Sequence, residues 1–133
     1  MSLQPVFARL RDVLKAHAAE LETSDDSGAR YALAAPVGPA TVRSWGGKQK
    51  TATIPVAWVE LEKSYVSYHL MGVAGHPALL AGLSPELRKR MQGKACFNFK
   101  ELDDGLLEEI GRVTEESLRA MRRAGFISGG ADR

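Results

Sequence analysis

What this chain lacks narrows the field first. It has one cysteine, Cys96, so no disulfide forms within it, and a lone thiol fits a reducing compartment. No window approaches the roughly 18 apolar residues that a membrane span requires. The opening stretch MSLQPVFARLRDVL carries Arg9, Arg11 and Asp12, which break any apolar leader core. A surplus of one charge is missing too: 18 basic residues stand interspersed with 16 acidic ones, for a formal net charge of +2. Nucleic-acid binders ordinarily gather Lys and Arg on one face, and nothing of that kind is visible. Also absent are the phosphate loop GxxxxGK followed by Ser or Thr, a GxGxxG turn after a strand, and a GxSxG elbow. The run Gly72-Val73-Ala74-Gly75 is too short and too poorly patterned to be a nucleotide loop. The expectation is a cytoplasmic protein without nucleic-acid or membrane partners, leaning away from catalysis.

What is present describes one domain. A chain of 133 residues with 44% hydrophobic and 26% charged residues can bury a core without metal or disulfide staples. Helical spacing of Val6, Leu10, Val13, Leu14, His17 and Leu21 predicts an amphipathic helix over 5–22, with Pro5 in its first turn. Thr23 to Gly28 reads as a loop. Strands are predicted over 30–35, 41–45, 53–62, 65–71 and 95–99, with Lys63-Ser64 closing an antiparallel hairpin. Pro55 is placed near the start or on the edge of its strand, where its missing N–H costs least. The Gly/Pro run 72–77 reads as a break, followed by a short helical turn over 77–81. Ser84-Pro85-Glu86 starts a helix that stops near Gly93, and a long helix begins at Asp103 or Asp104 and ends at Ala124 before a Gly125 cap. Helix, strands with an inserted helix, then helix predicts an α+β two-layer sandwich: a mostly antiparallel sheet with N- and C-terminal helices packed on it. The domain is expected over 1–126, with a flexible tail over 127–133.

Strand parity then sorts the reactive residue types, because alternate side chains face opposite ways. Val66, Tyr68 and Leu70 share one face with Ala95, Phe97 and Phe99, and belong against the helices. If the two strands are neighbours, Tyr65, Ser67, His69, Lys94, Cys96 and Asn98 make a polar patch on the other face. That patch is the expected ligand-binding site, for a small molecule or a protein. Catalytic and metal-ligating residues are not assigned. A zinc site of His69, His76 and Cys96 lacks a close paired spacing, and an enzyme built on Cys96 or His69 is the remaining chemical alternative. Trp45 and Trp58, if exposed on the uncovered sheet face, would favour a homodimer over a monomer.

The strings YHLM and MQGKACFNF, within the block Tyr65–Lys100, resemble the YdhG-like family of small bacterial domains of unknown function. The resemblance is strongest over residues 63–100 and extends from about 30 to 120. It implies an α+β fold, an antiparallel sheet with helices packed on it. One branch of that family is similar to frataxin-like iron chaperones, which implies Fe(II) delivery to iron–sulfur assembly through acids crowded on the first helix. Here Asp12, Glu20 and Glu22 are interspersed with Arg9, Arg11 and Lys15, and Asp25 and Asp26 follow. That mixture departs from the acid-crowded pattern, so no cofactor is expected, Fe(II) being the one that the resemblance would admit.

Overall fold

The computed structural model describes residues 2–127. The helices are α1 (Gln4–Lys15), α2 (Pro39–Ser44), α3 (Met71–Gly75), α4 (Pro85–Arg88) and α5 (Asp104–Ala124). The strands are β1 (Glu22–Asp26), β2 (Arg30–Pro36), β3 (Thr53–Leu61), β4 (Val66–Leu70), β5 (Met91–Gln92) and β6 (Cys96–Phe99). They form one sheet in the order β1-β2-β3-β4-β6-β5, with every neighbouring pair antiparallel. The α+β sandwich expected from the sequence is the fold.

The parity argument, made for β4 and β6, holds there, while β2 is buried on both faces along most of its length. Val59, Tyr68 and Phe97 stand in register on β3, β4 and β6, and all three are buried. Phe7, Leu10 and Leu14 of α1 and Ile110, Val113 and Leu118 of α5 close over them as one core. Burying each large side chain of this kind contributes about 1.5–3 kcal/mol. The one polar link through this core is fully oriented. Thr114 donates its hydroxyl hydrogen to the Ile110 carbonyl at 2.7 Å, so the Tyr68 hydroxyl is the donor in its 2.6 Å bond to Thr114.

Both ends of α5 follow from their caps. Asp103 accepts from the Leu106 N–H at 2.8 Å, and Gly125 adopts φ +86, which relieves the last carbonyls without a Cβ clash. Ser84 caps α4 in the same way, accepting from the Leu87 N–H at 3.2 Å. Its own hydroxyl donates to Glu109 of α5 at 2.6 Å, which ties the short helix to the long one. Pro55 lies in an interior strand, but beyond the end of β4 and beside the register shift at Leu33/Ala34, so no ladder bond is lost there.

Several predicted elements are corrected. The first helix stops at Lys15, and a 3-10 turn over Ala18–Glu20 follows. The segment read as a loop from Thr23 contains edge strand β1, because β2 offers its free ladder to a polar, mostly exposed segment. Residues 41–45 are not a strand: Gly38 is extended, Pro39 occupies the first helical turn, and α2 runs to Ser44. The break at 72–77 contains helix α3, packed so closely on α5 that only a glycine fits at Gly72. The helix from Ser84 lasts only one turn, and the chain then forms β5 and reverses at Gly93, whose φ is +76. Ile127, placed in the tail from the sequence, is buried in the core. The rest of that tail, 128–133, lies outside the described residues.

Candidate functional site

The polar side of the sheet assembles as parity requires. His69 pairs with Cys96 and Ser67 with Asn98 across β4 and β6, while Trp58 and Glu60 of β3 stand on their other side. The large buried apolar residues of α1, α3, α4 and α5 belong to the core on the opposite face. This face therefore carries no helix layer among the described residues. The Trp58 indole lies flat on the His69 imidazole, with centroids 4.6 Å apart and planes 13° apart.

Hydrogen bonds run in one direction through this group. Ser67 donates to the Glu62 carboxylate at 3.5 Å, so it accepts from His69 Nε2–H at 3.1 Å. His69 Nδ1 is then the acceptor, and Cys96 Sγ, 2.7 Å away, keeps its proton and donates it. Burial pushes in the same sense: it lowers the His69 pKa, against the pull of Glu60 and Glu62, and it raises that of the Cys96 thiol. The pair is neutral on both sides. A nucleophilic cysteine needs the opposite shift.

Three of the six predicted site residues, Tyr65, Lys94 and Asn98, stand apart from this chain of bonds. Tyr65 precedes β4 and accepts the Glu62 N–H through its carbonyl, and Lys94 is exposed in the turn before β6. None of the six lines the cavity at the end of the sandwich described below. Trp45 does not join Trp58 on this face, since it caps the C-terminus of α2.

The acids are dispersed. Asp25 faces Arg30 at 3.1 Å, Asp12 faces Arg11 at 3.5 Å and Glu20 faces Arg122 at 2.7 Å. Among the described residues no three His, Cys, Asp or Glu side chains are grouped as metal ligands. Nor is any helix among them long and apolar enough to cross a membrane.

A concave feature lies elsewhere, at the end of the sandwich where α2, α3 and the start of β3 meet the end of α5. A cavity of about 460 Å³ opens there, with Trp45, Ile54, Met71, His76, Met121 and Phe126 among its walls. Its size is within the range of small-molecule sites. Met71 is 37% exposed, the one large apolar side chain among the described residues left that open to solvent. His76 donates from Nδ1 to the Gly72 carbonyl at 3.0 Å, which leaves Nε2 as its other polar atom. Thr41, also in the wall, is 2% exposed, and its hydroxyl has no hydrogen-bond partner. Neighbouring Ser44 instead bonds the Thr41 carbonyl at 2.7 Å. Sequence reasoning missed this site because Thr41 and Trp45 were read as strand residues and 72–76 as a break. The signal was there in Gly38-Pro39, which starts a helix as readily as it ends a strand.

No family model, curated protein or solved structure matches the chain. The fold and this geometry define the class, a six-stranded antiparallel α+β sandwich with an apolar cavity at one end.

Proposed function

We propose that this chain is a non-catalytic binding domain that takes a small apolar molecule into the cavity between α2, α3 and the end of α5. One observation carries the reading: about 460 Å³ of concave space walled by Trp45, Met71, Met121 and Phe126. The polar sheet face supports it less well. Its indole is covered by His69, its thiol is held protonated by burial, and it takes no part in the cavity's walls. The dispersed carboxylates give Fe(II) delivery no comparable support. Membership of the YdhG-like family belongs to the same proposal, resting on YHLM and MQGKACFNF and compatible with the α+β fold. So does a cytoplasmic location, resting on the single thiol.

The test uses a neutral fluorescent probe, N-phenyl-1-naphthylamine, whose emission rises on entering an apolar site. Saturable binding is expected, with backbone amide shifts concentrated at residues 41–45, 71–76 and 121–126. Ala74→Phe, which fills the cavity wall, is expected to abolish it. Gly75→Leu is a second blocking variant, since a Cβ at Gly75 meets nothing within 4 Å. Binding that survives both substitutions in folded protein would overturn the cavity reading.

A further inference from the structure

The walls of the cavity share a property that their apolar side chains conceal. Each is cut from a stretch of chain without a single carboxylate. Between Asp26 and Glu60 there is no acidic residue, while Arg30, Arg43, Lys48 and Lys50 all fall in that interval. It supplies Thr41, Ser44, Trp45, Ile54 and Pro55. Between Glu62 and Glu86 there is again none, and that interval supplies Met71 through His76. From Ser117 to Ile127 the end of α5 carries Arg119, Arg122 and Arg123 and no acid, and it supplies Met121 and Phe126. The chain as a whole is nearly balanced, with 18 basic and 16 acidic residues. The absence of acids is therefore local to the segments that build the cavity.

One cation stands close to the wall. Lys50 Nζ lies 5.7 Å from the centroid of the Trp45 ring. It is exposed and forms no ion pair among the described residues. By contrast Arg122, on the α5 side, is held by Glu20 at 2.7 Å. A cation without a carboxylate, beside an aromatic wall, attracts an anion that has already found an apolar surface. An apolar cavity with an unpaired cation beside its aromatic wall is complementary to a molecule with one apolar part and one negative end.

Building on the cavity reading, we infer that the ligand is an amphipathic anion. Its flat or branched apolar body packs against Trp45, Met71, Met121 and Phe126, and its single carboxylate, sulfonate or phosphate-type head meets Lys50 at the rim. The body supplies most of the affinity through apolar burial. The head supplies selection against neutral compounds and speeds association at low salt.

A matched pair of probes separates the two ideas. 8-Anilino-1-naphthalenesulfonate carries the body of N-phenyl-1-naphthylamine with a sulfonate added. At low ionic strength the sulfonate is expected to bind about 10-fold more tightly than the neutral probe. That advantage should fall to about 2-fold or less in 0.5 M salt, as expected for a screened, partly exposed charge pair. Lys50→Gln should weaken the sulfonate about 3- to 10-fold and leave the neutral probe within 2-fold, since Lys50 is an exposed loop residue outside the cavity wall. Equal binding of both probes, or a sulfonate indifferent to Lys50→Gln, would overturn the anionic class while leaving the cavity reading intact. Failure of either probe to respond to Ala74→Phe and Gly75→Leu would overturn the cavity reading and this inference with it.

Discussion

Replacing Gly72 by alanine tests the contact on which the cavity depends. An ideal Cβ built at Gly72 falls inside the van der Waals radii of the Ser117 hydroxyl and carbonyl oxygens and 2.9 Å from the Ser117 carbonyl carbon. The hydroxyl could rotate, but the carbonyl belongs to the interior of α5 and cannot move without dragging the helix. Overpacking of this kind costs about 1–3 kcal/mol and more when backbone is involved. Alanine regains about 0.5–1 kcal/mol of backbone entropy relative to glycine. The net expectation for Gly72→Ala is a loss of about 2 kcal/mol, seen as a urea midpoint shift without a change in slope and a melting temperature lower by roughly 8 °C. Ser117→Ala in the same chain removes the hydroxyl but leaves the carbonyl, so it should recover less than half of the loss. The control is Gly111→Ala, in α5, where a Cβ meets nothing within 4 Å. That change should stabilise by about 0.5–1 kcal/mol. A Gly72→Ala protein with the wild-type midpoint would refute the close approach of α3 to α5, and with it one wall of the cavity.

Two further outcomes follow from the titrating groups. Burial holds the Tyr68 pKa well above its ordinary value of 10.0, the Thr114 bond opposing this only in part. The unfolded chain loses that proton first, so stability is unaffected below pH 10 and falls above it by up to about 1.4 kcal/mol per pH unit. Tyr68→Phe should cost about 1 kcal/mol at pH 7 and flatten the alkaline slope; an unchanged slope in urea titrations from pH 9 to 11 would count against the buried hydroxyl. Because burial raises the Cys96 thiol and lowers the His69 imidazole, Cys96 should react with a disulfide reagent at pH 7.5 more slowly than in the urea-unfolded chain. His69 adds stability above its ordinary value of 6.5 that is lost as pH falls below it, since the unfolded chain takes up that proton first. His69→Gln should reduce this acid-side loss, and a thiol that reacts faster in the folded protein would refute the neutral pair.

Where local chemistry and tertiary packing agreed, the fold could be read ahead of the structure. Ser84, Asp103 and Gly125 terminate helices by bonds and dihedrals confined to a few residues, and each does so here. Alternation alone sorted Val66, Tyr68, Leu70, Phe97 and Phe99 from Ser67, His69 and Cys96, because period two is a property of any extended chain. What failed were segments whose conformation is chosen by a partner. The polar run at β1 becomes a strand only because β2 presents an unpaired ladder, and Gly72 sits in a helix packed against Ser117 of α5, a contact no local signal announces.

The candidate site divides along the same line. His69 and Cys96 were placed on one face by parity within two strands, and the structure adds only that β4 and β6 are neighbours. Trp45, the pair Met71 and His76, and Phe126 come from three places in the sequence and meet only because α2, α3 and the end of α5 converge at one end of the sheet. Sequence by itself determined the α+β class, the face each strand residue takes and the helix caps, since short-range sterics and hydrogen bonding decide those. Only the tertiary structure decided where the concave surface lies, since a cavity is the space left between elements and no single element encodes it.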